Sequence, residues 1–561
     1  MTFQNIKIAL TLSIITLSGS LFAQDKKTEP KKEPAKGTLT EEIEVVRPYK
    51  PILAEAVKIR RSPDLNDNKV FKPVLSYTIL DKKLEMNGNI KQLQAQKLED
   101  EKLAILQNNY LKIGAGNFNT GLGEIYFNNG PDEALQTGFY LKHNSQRGSI
   151  KKQQFSNQQA AVFGKTIREN NSFSGSIGYD RKSSFFYGQN PDLVTPVDFT
   201  PEKQRFNLFE AEGELMNNYS EEDNGIQYAG KIAGYILNNA FDARENNFAL
   251  SGYLNKAFSN FSIGVGSSAD FTNSKDSLYV LKNNIFRVNP FVKYQGSGFI
   301  INLGLNVVQE FGSSSRFNVL PAFTAEFPIA EEYATLFGGL TGDVLKTDIR
   351  GLSNDNFYLN KSVTLKNAVE KMNIYGGVKG NAGAGFGFKA KAFYKTIQDM
   401  PLFVNNAFTP SKFDVIYDDG NSKVLGFEGE LTVKASDIIE LSGKAEAANY
   451  NLKTEQEAWF KPGIKLTSNL RAKFSPKFSL DAELFYNGET KAKTTVFTPL
   501  AEDRIVTINS FVDMSAGAEY RINNKIGVYV RVNNIFSNSY QQYLYYSKLG
   551  LNAFGGFNYS F

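Results

Sequence analysis

One histidine, His143, and no cysteine stand in a chain of 561 residues. That removes most general-base, thiol and zinc chemistry, since these rest on imidazole or thiolate groups. His143 lies near the end of an expected strand, where a ring at the base of a loop is the simpler reading. Two acidic runs, Ser220 to Gly225 (SEEDNG) and Asp418 to Asn421 (DDGN), offer carboxylates for Ca²⁺. Neither has the spacing of a Ca²⁺ loop, and turns use the same residues. The Gly-rich stretch Gly380 to Gly387 lacks the lysine and the strand-loop-helix setting of a phosphate cradle and reads as a turn. No enzyme activity, metal or cofactor is therefore expected. The residues left for recognition are aromatic: Phe185, Phe186 and Tyr187 in one group, and Tyr540, Tyr543, Tyr545 and Tyr546 in another. Such rings serve either as an interfacial girdle or as an extracellular docking surface for a ligand or protein. A β-prone segment, Glu42, Ile43, Glu44, Val45 and Val46, follows a polar linker and reads as an edge strand or a docking peptide.

The elements that must carry these residues begin with an export signal. Lys7 precedes the apolar run Ile8 to Leu17, and small residues with Ala23 come before Gln24. The run is too short to span a bilayer, so residues 1–23 are expected to be removed. Residues 24–40 are a Lys/Glu/Pro-rich linker that cannot bury enough apolar surface to fold. Residues 41–108, with helical propensity over Ile90 to Gln107, are expected to form a short periplasmic segment able to bind a periplasmic or outer-membrane protein. The remaining residues, 109–561, are expected to form one β-barrel, for the reasons of composition and period that follow.

Composition agrees. The chain holds 46 Gly, 45 Phe and 27 Tyr but one Trp, and its mean hydropathy is −0.33. No later stretch is apolar for long enough to be a membrane helix. A transmembrane β-barrel reconciles many aromatics with low mean hydropathy, because its strands alternate between lipid and lumen. Basic residues number 63 and acidic residues 58, spread along the chain, so no nucleic-acid surface is expected.

The alternation is visible residue by residue. Ile526, Val528, Val530 and Val532 alternate with Gly527, Tyr529, Arg531 and Asn533, while Phe478, Leu480, Ala482 and Leu484 alternate with Ser479, Asp481 and Glu483. A soluble sandwich would need a second sheet against each apolar face, whereas lipid outside and water inside satisfy every strand at once. Connectors also alternate, short at 381–385, 435–437, 475–477 and 522–525 and long at 396–422, 449–461, 488–509 and 537–550. Short turns belong to the periplasm and long loops to the exterior. Candidate strands start near 109, 121, 135, 157, 172, 205, 227, 247, 261, 285, 298, 317, 333, 371, 386, 423, 438, 462, 478, 510, 526 and 551. The expected fold is thus an all-β, antiparallel transmembrane barrel of about 22 strands in the outer membrane, with a smaller even count open. Outer-membrane lipid and lipopolysaccharide are its expected surroundings.

Four stretches resemble the barrel of TonB-dependent outer-membrane receptors, all within residues 316–561. Asn356-Phe357-Tyr358-Leu359 with Met372 to Gly380 is similar to that family's "NPYL" loop end and "YELGLKG" strand. Val424 to Leu431 is similar to its "GVE" strand, and Lys461-Pro462-Gly463-Ile464 to its proline-led strand start. Val532 to Phe536, Tyr540 and terminal Phe561 resemble its closing signature. The resemblance implies a 22-strand barrel and a transport role, with Glu42 to Val46 loosely like a TonB box. It also implies a plug of over a hundred residues, for which the roughly 85 residues between Ala23 and Asn109 leave no room. Two functions follow: a transport-related barrel, or a non-transporting scaffold subunit of an outer-membrane complex. An open diffusion pore is the third and least favoured.

Overall fold

The structure, a computed structural model, describes residues 109–561 apart from 131–133, 191–199, 218–224, 331–332, 382–384, 437, 498–499 and 538. The expectations for residues 1–108, Glu42 to Val46 among them, lie outside the described residues.

The chain winds through β1 (Tyr110–Gly116), β2 (Thr120–Asn128), β3 (Leu135–Arg147), β4 (Gln154–Ile167), β5 (Asn171–Phe185), β6 (Lys203–Asn217), β7 (Ile226–Asn239), β8 (Arg244–Phe258), β9 (Phe261–Lys275), β10 (Val280–Gly296), β11 (Phe299–Gly312), β12 (Arg316–Ala330) and β13 (Ala334–Leu345). A short helix, α1 (Ile349–Asp355), precedes β14 (Ala368–Asn381), β15 (Phe386–Asn405), β16 (Phe413–Lys434), β17 (Ile439–Asn451), β18 (Ile464–Lys473) and β19 (Phe478–Asn487). A hairpin of β20 (Thr490–Phe497) and β21 (Ala501–Ile508) comes next, then β22 (Phe511–Arg521), β23 (Ile526–Asn533), the small hairpin β24 (Gln541–Tyr543) and β25 (Tyr546–Ser547), and β26 (Asn552–Ser560). Leaving out the two hairpins, 22 strands form one antiparallel sheet. It closes because β1 pairs with both β2 and β26: Lys112 faces Glu124 on one side and Asn558 on the other.

Each strand obeys the two-residue period. On β7, Ile226, Tyr228, Ile232 and Ile236 are exposed on the outer face, while Tyr235 and Leu237 are buried on the inner one. The same outward exposure recurs at Val162, Ile177, Leu250, Ile263, Leu303 and Val319. An apolar belt of this kind, continuous around a closed barrel, is stable only against lipid, which places the barrel in the outer membrane. Asn109 and Phe561 exchange backbone hydrogen bonds at one end. That end carries the short turns, such as 259–260 and 297–298, and is therefore periplasmic. There Phe261, Tyr294, Phe299 and Phe327 form a chain of ring contacts at 4.6, 5.5 and 6.0 Å, an interfacial girdle. On the lumen side Phe393 lies across Gly426, where any Cβ would come within 2.2 Å of the ring. The missing side chain is what lets the ring lie against the wall.

The strand starts follow the sequence expectation to within a few residues, with one correction. The expected long connector 396–422 is mostly strand: β15 and β16 stay paired up to Asn405 and Phe413, leaving only 406–412 as loop. The register shifts between Gln398 and Met400, and Asp399 takes φ 57° there. This bulge lets the hairpin change course without ending. Above it Leu402 and Val404 are covered by Trp459, so the extension has an apolar core of its own.

Candidate functional site

The connector 346–367, between β13 and β14, turns into the barrel mouth instead of standing above it. Asp348 caps α1, its side chain accepting from Gly351 N at 2.7 Å. Two turns of helix bury little alone, so the segment depends on its apolar residues. Ile349, Leu352, Leu359, Val363 and Leu365 pack with Phe206, Tyr235 and Leu237 of β6 and β7 and with Val415 of β16. Those strands belong to different walls, so the segment crosses the mouth. Each such side chain contributes up to about 1.5–3 kcal/mol.

Charged groups pin the segment in three places. At the first, Glu245 of β8 is fully buried and accepts from Tyr235 Oη (3.0 Å), Ser274 Oγ (2.7 Å), Ile349 N (2.8 Å) and Arg350 N (3.1 Å). A carboxylate at the first helical amides is favoured by the orphan N–H groups there. Beside it, Lys346 Nζ donates to Asp270 (2.8 Å) and Thr272 Oγ1 (2.6 Å) and pairs with Asp348 at 3.3 Å. Burial alone would depress the Lys346 ammonium, but Asp348 and Asp270 outweigh it and hold its pKa above the ordinary lysine value. At the second, Arg316 forks onto buried Glu310 at 2.8 and 3.0 Å, reaches Asp399 at 3.0 Å and donates to Asn367 O at 2.7 Å. Lys366 pairs with Asp399 at 2.9 Å, and this hydrogen bond raises its pKa. At the third, Ser362 donates to Asp276, Tyr279 Oη donates to Val363 O at 2.8 Å, and Lys361 lies 3.4 Å from Glu202. Most of these charges are paired, as charges withdrawn from water must be.

The two aromatic groups singled out in the sequence converge on this segment. Tyr358 stacks on Tyr546 at 3.6 Å, Tyr187 meets Tyr546 edge-on at 4.9 Å, and Tyr543 meets Phe413 at 5.4 Å. Tyr546 Oη donates to Ser411 O and Tyr543 Oη to Asp355 O. Phe186 is buried beside Phe241 with Lys412 Nζ 5.2 Å above its ring. Phe186, Tyr187 and Tyr546 are thus buried in the chain's own packing. The others are half-buried: Phe185 lies between Lys152 and Lys203, Tyr540 stacks on Phe511 at 3.9 Å, and Tyr545 packs near Leu544.

Other candidates are placed as follows. His143 is exposed, 3.1 Å from both Gln158 Nε2 and Ser145 Oγ. The carboxylate of Asp418 is taken up by Ser422 and by the backbone N–H groups of Lys453, Thr454 and Glu455, which closes the loop 452–463. Of the run Ser220 to Gly225, all but Gly225 lies outside the described residues. Among the described residues no group of three or more His, Asp or Glu is arranged to hold a metal ion. The segment 346–367 itself was missed in the sequence. Its signal was there: apolar residues at 349, 352, 359, 363 and 365 are out of place in a solvated loop.

No protein-family model and no curated protein matches the sequence. Solved structures do. The ferripyoverdine receptor of the outer membrane of Pseudomonas aeruginosa superposes with a TM-score of 0.61 at 13% identity, over 82% of this chain and 72% of that one. The FrpB iron transporter from Neisseria meningitidis gives 0.62 at 11% identity, over 82% of each chain. The siderophore receptor PirA from Acinetobacter baumannii gives 0.60 at 12%, over 82% and 81%. The chain therefore has the barrel fold of these outer-membrane receptors, and the resemblance extends beyond its C-terminal half.

Proposed function

We propose that this chain is a transport-related outer-membrane barrel, without enzyme activity, whose passage is gated at the extracellular mouth by the segment 346–367. The observation that carries the reading is the crossing itself: one connector hydrogen-bonded to Glu245 of β8 and Asp270 of β9 on one wall, and on another paired with Asp399 and packed on Val415. The inner wall is charged, with pairs such as Lys391–Glu428 at 2.8 Å, Lys379–Glu326 at 2.9 Å and Arg531–Asp481 at 2.8 Å. Such a lining suits a polar solute. Siderophore-bound iron, named for the similar structures, is the first solute to test.

The test is conductance of the full chain in planar bilayers. Wild type is expected to conduct little, and a variant with residues 349–363 replaced by a Gly-Ser linker to conduct strongly and steadily. Equal conductance in the two would sink the gate. On this reading Glu42 to Val46 dock an energising periplasmic partner, and their deletion abolishes uptake while leaving the barrel folded. The half-buried Tyr543 and Tyr545 are the rings an incoming solute or protein would meet first.

A scaffold role has one observation in its favour: β1 starts at the periplasmic end, the side on which a periplasmic protein meets the barrel, and on this reading residues 41–108 bind a periplasmic or outer-membrane protein. Recovery of no stoichiometric partner from gently solubilised membranes would end that reading.

A further inference from the structure

The outer face of β8, β9 and β10 carries an unusual arrangement near the extracellular rim. Phe248 faces Phe271 across the strands, their rings stacked 6.4 Å apart. Two residues further up, Asn246 faces Asn273, which faces Lys282 of β10. Two more, and Arg244 faces Lys275. Aromatic, amide and cation rows thus follow one another at steps of about 6.6–6.8 Å along the strands.

Like charges directly opposite one another destabilise a sheet. Yet Arg244, Lys275 and Lys282 are all exposed, and no carboxylate of the described residues pairs with any of them; Arg244 Nε donates only to Asn246 Oδ1, at 3.1 Å. An external anion would relieve that repulsion. The guanidinium supplies a planar fork and the two ammonium groups point charges, the donor set that suits phosphate.

A second observation lies directly below. A groove of about 1400 Å³ opens on the lipid-facing surface, with Arg244, Asn246 and Phe248 at its upper end. It runs across the neighbouring strands past Phe209, Ile177 and Val162, over a floor thinned by Gly213. Small-molecule clefts measure roughly 300–1,000 Å³, so this one has room for several alkyl chains. Cations above and an apolar trough below match an amphiphile with a phosphorylated head.

Resting on the outer-membrane placement of the barrel, we infer that this rim and groove form a binding site for a phosphorylated glycolipid of the outer leaflet. Arg244, Lys275 and Lys282 hold its phosphates, and the groove holds its acyl chains. The amides of Asn246 and Asn273 hydrogen-bond the sugar between them.

The test uses the full chain in nanodiscs, with bound lipid counted by native mass spectrometry. Wild type should retain the phosphorylated glycolipid at least about tenfold better than the same lipid stripped of phosphate, and better than phosphatidylglycerol. Reversing the charges together (R244E, K275E, K282E) should remove that preference. Gly213→Leu should lower retention by filling the trough, since a Cβ there meets nothing nearer than 3.6 Å. Equal retention of the phosphorylated and stripped lipids by wild type overturns the site, and that comparison needs no variant to fold. Equal retention of phosphatidylglycerol also overturns it, as a merely anionic preference. A chain missing from the outer-membrane fraction would instead refute the placement on which the inference stands.

Discussion

The two sides of the extracellular rim solve the same problem in opposite ways. From β7 to β12 the connectors 240–243, 276–279 and 313–315 are short, and the strands stop near the membrane. From β15 to β21 the strands run on, 20 residues in β15 and 22 in β16, with the β20–β21 hairpin beside them. The tall side is held by backbone pairing and by an apolar cluster around Leu402, Val404 and Trp459. The low side has no such superstructure, and its inner face is covered by a segment brought from between β13 and β14 and fastened by buried charge. Ladder and apolar core tolerate local loss, because many small contacts share the load. Buried charge does not, because each partner left behind is stranded.

That contrast can be broken experimentally, and the low side should break first. Glu245→Ala strands two helix-terminal amides, Tyr235 Oη and Ser274 Oγ at once. We expect a loss of about 3–5 kcal/mol, the usual cost of removing one member of a buried charged set. Hydrogen exchange at Ile349 and Arg350 should rise by two or more orders of magnitude, with the tall side unchanged. If exchange rises equally over 400–417, the two sides are one cooperative unit and the comparison fails. Leu402→Ala on the tall side leaves a cavity at a residue 1% exposed, costing about 2–5 kcal/mol according to how far the site collapses. Its effect should be read in exchange over 400–417 and around Trp459, with α1 still protected.

The barrel was legible because lipid imposes a strict period. Val528 and Val530 must face out, Tyr529 and Arg531 must face in, and a slip of one residue would invert every side chain. Turn length then gave the sides. The mouth was not legible in the same way, because no period governs a connector. Tyr187 and Tyr546 were visible as aromatic groups, but their meeting over Tyr358 depends on three connectors arriving together across 359 residues of sequence. By sequence Glu245, Asp270 and Glu310 are three acidic residues among 58, and nothing in their neighbours sets them apart. What distinguishes them is burial by 346–367, and that follows from tertiary packing alone. The extension of β15 and β16 was hidden by Asp399, whose bulge interrupts the alternation that would have announced it.

The smallest effects expected are those of pH, and they separate the inner fastening from the outer one. Lys346 has a raised pKa in the folded chain, so its contribution is complete below the unfolded lysine value, about 10.4. It is lost only as pH rises through the folded value. Glu202 is the reverse case. Burial pushes its carboxyl up, but Lys412 at 2.8 Å and Lys361 outweigh this and hold it below the usual range. Its contribution is present above the unfolded glutamate value, about 4.3, and is lost as pH falls through the folded one. The side chain is 47% exposed, so solvent screening keeps each pair near 0–1 kcal/mol. Lys361→Ala should accordingly leave the segment seated at neutral pH and shift the acid midpoint of exchange at 361–363 only slightly upward. Mild alkali short of the unfolded lysine value should leave α1 protected throughout. Loss of that protection between pH 8 and 9 would show that Lys346 is not the group holding the low side.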